Sequence, residues 1–398
     1  MYRILRLRGK HPSVDFNMFT DHRAYGNSFN SSNNNDDEDT LIQSKRKKSE
    51  NLSKDNYRMS LDQYVSSFLD WRQKWTQVPR IIIVSCKSDN PTGRKFAELT
   101  SEIYGVIQQY TPKDTIVIML RSPICCPATT FKACCHVDTL LFSSVAQSSV
   151  SVMAWQTLNV KLEKKVLLRS LQKFLINQED LKLLLFFYDI SSKHNITRWI
   201  KSTFCSFLKD KLKAHRSAVV LGCALHDKHG IKYPSTCGNK FFTLMGNTLN
   251  SSDLPEKKFK NGSFLCLALN GKSVNTASVH LDYAVRTLDG LSAKLRLLKE
   301  STADIIKKLS VTSFGIMIGC VNRMHDSLWY EDSEEYETVE APIEINAFQK
   351  EFPGMPLLVM HGFGEVGNSF NLLNNSQVLE SARLFHSAST IFTIVSFT

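Results

Sequence analysis

Residues 181–224, LKLLLFFYDISSKHNITRWIKSTFCSFLKDKLKAHRSAVVLGCA, change hydrophobic rhythm twice. Leu181–Ile190 is a near-continuous apolar run, short enough for a strand covered on both faces. From Asn195, residues Ile196, Trp199, Ile200 and Phe204 recur at helical spacing and make one apolar face. Ser217–Ala224 (SAVVLGCA) is apolar again and reads as a strand. Strand, helix, strand is the signature of an α/β or α+β fold.

The same rhythm extends both ways. Upstream, RIIIVSC from Arg80 and TIVIML from Thr115 read as strands, with a helix over about 93–110 between them. Val137–Ala146 and Val150–Leu158 read as a pair of strands, and Val166–Ile176 as a helix. Downstream, Ser263–Gly271 and Ala277–Val285 read as strands joined across Asn270-Gly271, a hairpin-turn dipeptide. A helix follows over about 290–309, then a strand at Ser313–Cys320 and a short helix at Ile343–Phe352. Pro356–Gly367 reads as a strand running into a glycine turn, and the final LFHSASTIFTIVSFT as a strand. No repeat at a solenoid period is visible.

Residues 1–59 read as a disordered polar tail, because NSFNSSNNNDDEDT carries too little apolar surface to offset its ordering entropy. Structure is expected to begin near Ser60, where Ser60 and Gln63 have capping-box spacing. Leu61, Tyr64, Val65, Phe68 and Leu69 then repeat helically, and Pro79 ends the pattern. Two units are expected after the tail, 60–235 and 236–398.

Composition narrows the function classes. Of 398 residues, 42% are hydrophobic and 22% charged, which excludes a wholly disordered chain. No apolar run is long enough to span a bilayer, and no secretory signal is read at the N-terminus. The expected location is cytoplasm and nucleus, with Lys45-Arg46-Lys47-Lys48 a nuclear-import candidate. The net charge of +11 is spread along the chain and interrupted by the acidic run Glu331–Glu340, so nucleic acid is not the expected partner. In a reducing compartment the ten cysteines are thiols. Cys86, Cys223, Cys266 and Cys320 sit in apolar runs as small hydrophobes.

Chemical motifs are few. Gly362 to Gly367 match G-x-G-x-x-G, but no long helix follows and only 31 residues remain, too few for a dinucleotide fold. Gly271-Lys272-Ser273 lacks the earlier glycine of a phosphate loop, since Cys266 stands there. Cys125, Cys126, Cys134, Cys135 and His136 are weak zinc-ligand candidates with no recognised finger spacing. No G-x-S-x-G elbow and no H-E-x-x-H occurs. These residues point away from an enzyme and require no cofactor.

The C-terminal third carries an ordered set. Cys320 with Arg323, Ala347-Phe348, Phe352-Pro353, Gly362 to Gly367 and Phe385-His386-Ser387 follow one another over about 75 residues. This order resembles the FIST family, the F-box and intracellular signal transduction proteins. Around the arginine the family often has glycines, where this chain has Asn322 and Met324. No F-box is read in residues 1–59. The resemblance implies two FIST-type subdomains and a non-catalytic recognition subunit with a cullin-RING ligase adaptor and protein substrates as partners. A sensory module for a small-molecule ligand is the alternative. It also implies a binding site at Cys320, Asn322, Arg323, Gly362, Gly364, Glu365, Gly367 and His386. Glu365 and Arg323 would either hold polar ligand groups or hydrogen-bond each other or the turn.

Overall fold

The computed structural model describes residues 14–20, 64–66, 68–70, 72–73, 79–88, 94–112, 115–123, 135–143, 148–156, 160–189, 196–212, 218–226, 242–245, 263–306, 312–320, 323, 343–371, 376–377, 384–386 and 388–397. Helices and sheets are mixed throughout, so the fold is α/β. The first sheet has five strands in the order β1-β4-β2-β3-β8. They are β1 (Val14–Thr20), β2 (Pro79–Ser88), β3 (Ile116–Pro123), β4 (Cys135–Ser143) and β8 (Phe242–Met245), with helix α1 (Arg94–Tyr110) crossing from β2 to β3.

The second sheet has ten strands. Its first half contains β5 (Ser148–Gln156), β6 (Leu181–Asp189), β7 (Val219–His226) and β9 (Ser263–Gly271). Its second half contains β10 (Val274–Leu281), β11 (Thr312–Cys320), β12 (Leu357–Gly367) and β15 (Thr390–Phe397), with the two-residue strands β13 (Phe370–Asn371) and β14 (Ser376–Gln377) at its edge. The order is β14-β13-β10-β15-β11-β12-β7-β6-β9-β5. Helix α2 (Val160–Ile176) crosses from β5 to β6, and α5 (Leu288–Ile306) from β10 to β11. The β6–β7 crossover is α3 (Ile196–Trp199), a π turn (Ile200–Phe204) and α4 (Cys205–Leu212), and the β11–β12 crossover contains α6 (Ile343–Glu351).

These elements are one unit used three times. In β5-α2-β6-α3/α4-β7-β9, β6 pairs parallel with β7, β9 lies antiparallel to β6, and β5 lies antiparallel to β9. In β10-α5-β11-α6-β12-β15 the same places are taken by β11 with β12, β15 and β10. In the first sheet, β1, the helical residues within 64–72, β2, α1, β3 and β4 repeat it, with β2 parallel to β3, β4 antiparallel to β2 and β1 antiparallel to β4. The third strands of the units meet: β7 pairs with β12, and β3 contacts both.

Inner faces of both sheets share one core. Ile83, Ile118 and Leu120 of the small sheet cluster with Leu185, Leu221, Ile316, Met360 and Val395 of the large one. The large sheet curls to allow this. Only Lys272 and Ser273 separate β9 from β10, although six places separate them in the sheet order. Helices cover the outer face. Leu167, Leu171 and Leu175 of α2 pack with Phe204, Leu208 and Leu212 over β6 and β7. Leu291, Leu295 and Leu298 of α5 pack with Ala347 and Phe348 of α6 over β11, β12 and β15. Fully burying each of these Leu and Phe side chains contributes roughly 1.5–3 kcal/mol.

Several expectations change. β1 lies inside the supposed polar tail and pairs with β4 along its whole length; Ser60, Gln63 and the rest of residues 1–59 lie outside the described residues. β4 and β5 do not form a pair but belong to different sheets. β9 and β10 are not a hairpin, because each finds other partners. Both sheets cross the 235/236 boundary: β8 joins β3, and β9 lies between β5 and β6. The helix from Asn195 is interrupted by the π turn, whose extra residue lets both Phe204 and Cys205 face the core.

Candidate functional site

Two strand ends and one returning segment build the site. β11 ends at Cys320, which pairs in register with Gly362 of β12. β12 does not turn at its glycines as expected; it continues to Gly367 through an irregularity between Phe363 and Val366, where it pairs with β7. One extra residue at a bulge re-aims the side chains beyond it. Residues 384–386 return alongside, with the His386 amide donating to the Glu365 carbonyl at 2.7 Å and the Gly367 amide to the Leu384 carbonyl at 2.8 Å. The segment re-enters β15 through Ala388, whose φ of 52° is left-handed; the Ser389 carbonyl then accepts from the Cys320 amide at 2.8 Å.

The glycines are required by close approach. A Cβ on Gly362 would stand 2.5 Å from the Ala224 carbonyl oxygen and 2.6 Å from Cys223 Sγ. Gly364 has a φ of +64°, and a Cβ there would meet the Phe385 ring at 2.9 Å. Its carbonyl accepts the Tyr188 hydroxyl at 2.8 Å. Gly367 faces Ile391 and the Val220 carbonyl. The run is therefore a packing seam between the second and third units and cradles no phosphate. Gly362→Ala is expected to lower stability by about 1–3 kcal/mol by forcing β7 from β12. Urea unfolding checks this; an unchanged midpoint would contradict the seam.

Arg323 is 3% exposed. Its Nε donates to Glu344 Oε1 at 2.9 Å, and its terminal nitrogens donate to the carbonyls of Asp282 at 2.9 Å, Val285 at 2.8 Å and Ala388 at 3.4 Å. Glu344 Oε2 accepts from the Thr390 hydroxyl at 2.7 Å. Burial pushes the Glu344 carboxyl up, while Arg323 and Thr390 pull it back. The buried guanidinium beside it favours the ionised form, against burial. Arg323 thus clamps the β10–α5 turn, the first turn of α6 and the start of β15. It does not pair with Glu365, one of the two arrangements expected from the sequence.

Glu365 is completely buried. Its Oε2 accepts from the Ser389 hydroxyl at 3.2 Å and the Ser389 amide at 3.4 Å. Oε1 accepts no hydrogen bond among the described residues. Burial pushes the carboxyl up to about 7, opposed by hydrogen bonds from its own backbone, Cys320 and Ser389. The neighbouring Cys223 thiol is pushed well up by burial and by Glu365. Tyr188 is raised too, mainly by burial. In these apolar surroundings the protonated form of each group is favoured over the charged one.

His386 stacks on His280 of β10, ring centroids 3.7 Å apart, and its Nε2 lies 3.1 Å from the Gly367 carbonyl. A carbonyl only accepts, so Nε2 carries the proton. Burial, then the facing His386, pushes His280 down to about 4, against Asp282.

The structure therefore gathers Cys320, Arg323, Gly362, Gly364, Glu365, Gly367 and His386 into one neighbourhood. Asn322 lies outside the described residues, as do Cys125, Cys126 and Cys134. Cys135 and His136 lie on β4, but their side chains are not among those described. Among the described residues no group of three or more His, Cys, Asp or Glu side chains could hold a metal ion. Sequence reasoning missed Glu344, Ser389 and Thr390. The one signal for them was Glu344, an acid between Ile343 and Ile345 in the first turn of an otherwise core-facing helix. It also missed Asn368, whose side chain accepts from the Val220 amide at 2.7 Å and donates to the Ala218 carbonyl at 3.2 Å, fixing the start of β7.

No family model matches the chain, and no curated protein matches it. Among solved structures it is similar to cyanuric acid hydrolase from A. caulinodans, at 5% identity over 80% of this chain and 90% of that one, with a TM-score of 0.35. No helix among the described residues is long and apolar enough to cross a membrane.

Proposed function

We propose that this chain is a non-catalytic recognition subunit, resembling F-box only protein 22, that recruits protein substrates to a cullin-RING (SCF-type) ubiquitin ligase in cytoplasm and nucleus. The observation that carries the reading is the engagement of the ordered motif in the frame itself. Arg323 is saturated by Glu344 and three carbonyls, and the glycines are filled by strand approach. Cys320 and Glu365 are sealed from solvent. Such residues hold a surface in shape, which is what recognition needs, and they present no reacting atom to a substrate.

One observation favours a second reading, a sensory module for a small ligand. Glu365 Oε1 is buried without a hydrogen-bond partner among the described residues, the kind of group a small polar ligand satisfies.

Affinity purification of the full chain from cells, with and without an F-box grafted before Ser60, separates the two. Recovery of adaptor and cullin with the ungrafted chain is the expected result. Recovery only with the graft would overturn ligase docking by this chain and favour the sensory module.

A further inference from the structure

The three units carry equivalent helices, and their charge is unequal. In the second unit, α2 has five Lys or Arg against Glu163, and Ile196–Leu212 has four against Asp210. That is seven of the chain's net +11 on two helices. In the third unit α5 has three cations against three acids, and α6 has Lys350 against Glu344 and Glu351. In the first unit α1 has two of each. The excess belongs to the two helices that cover the outer face of one unit.

That face looks outward. Leu167, Leu171 and Leu175 hold α2 to the core, while Lys165, Arg169 and Lys173 are exposed. An offset of two residues is about 200° on a helix, so the cations stand opposite the buried stripe, about 6 Å apart along it. Arg198 and Lys201 are exposed on the adjoining helix, which packs against α2 on the same cluster. Among the described residues, none of these five cations forms an ion pair. On α5, by contrast, Arg296 and Lys299 are both paired with Glu351.

We infer that α2 and the Ile196–Leu212 helix form a docking face for an acidic segment of a partner protein. A row of cations at helical spacing matches a row of carboxylates on a facing helix or strand, and complementary charge steers encounter. Single-stranded nucleic acid needs exposed aromatic rings to stack on, and here Phe174, Trp199 and Phe207 pack down against the cluster. A bilayer needs an apolar face to insert, and the apolar faces of both helices are turned to the sheet. The inference rests on the recognition role and names the class of protein recognised.

The test is fluorescence anisotropy of the full chain with three probes: a Glu-rich peptide, oligothymidylate and phosphatidylserine vesicles. The peptide is expected to bind best and to weaken with added salt. The triple variant Lys165→Glu, Arg169→Glu, Lys173→Glu should weaken it by about tenfold or more with an unchanged unfolding midpoint. Lys350→Glu, exposed on α6 of the third unit, should leave it unchanged. Equal loss in both variants, or tighter variant-sensitive binding of oligothymidylate or vesicles, would overturn the inference. If peptide binding fails while adaptor and cullin still co-purify, the partner class is wrong and the recognition role stands.

Discussion

Arg323→Met is expected to lower folding stability by about 3–5 kcal/mol, more than any of the other single substitutions proposed above. The physical reason is what the change leaves behind. Glu344, buried and left among the described residues with the Thr390 hydrogen bond alone, would have to bear an uncompensated buried charge or take up a proton, and either costs stability. The Val285 carbonyl would lose the guanidinium donor, and the Asp282 carbonyl would keep the Val285 amide but lose the guanidinium. Arg323→Lys should recover little. A lysine keeps the charge but cannot present the planar fork that reaches a carboxylate and three carbonyls together. Because the clamp joins β10, α6 and β15, the loss should appear as a lower urea midpoint for the whole third unit.

The second large effect is pH-dependent and belongs to Glu365. Its folded value is about 7, against an ordinary 4.5. Below pH 4.5 the carboxyl is protonated in both folded and unfolded chains, and stability is full. Between 4.5 and 7 the unfolded chain releases the proton and the folded chain keeps it, so stability falls by about 1.4 kcal/mol per pH unit. Above 7 the loss is complete, at about 3 kcal/mol, and the slope ends. Glu365→Gln removes the titration. Compared at pH 5 and pH 8, wild type should lose about 2–3 kcal/mol more than the variant. Equal losses would show that the carboxyl is ionised throughout. A ligand that satisfies Oε1 with a donor would shift the wild-type curve and leave the Gln variant unmoved.

The strands were legible because both faces of the large sheet are covered. Leu181–Asp189 and Thr312–Cys320 then read as apolar runs whatever their neighbours. β1 was harder. Val14, Phe16 and Met18 alternate with Asp15 and Asn17, a strand pattern lost among the polar residues around it. The threefold use of one unit left no trace in the sequence, since the fold fixes strand order and leaves residue identity free. Pairing failed where adjacency was the guide: β4 and β5 are neighbours in sequence and lie in different sheets. In the site, Arg323 and Glu365 were found, but not their partners. Glu344, Ser389 and Thr390 lie 21 to 67 positions beyond Arg323 or Glu365 along the chain or its returning segment, and only the crossing of β11, β12 and β15 brings them together. The glycine run misled for a related reason. Read locally it is a turn that could face a ligand, whereas its tightness comes from β6 and β7, more than a hundred residues earlier, and from Phe385 and Ile391 of the returning segment and β15.

The central claim is that the motif residues frame the fold. A double-mutant cycle at Arg323 and Glu344, read by urea unfolding of the full chain, tests it most directly. Arg323→Met and Glu344→Gln should each cost about 3 kcal/mol or more, and the double variant little beyond either alone, a coupling of about 2–3 kcal/mol. Small, additive losses from the two changes would contradict the claim and return Arg323 to the role of a group held ready for a ligand.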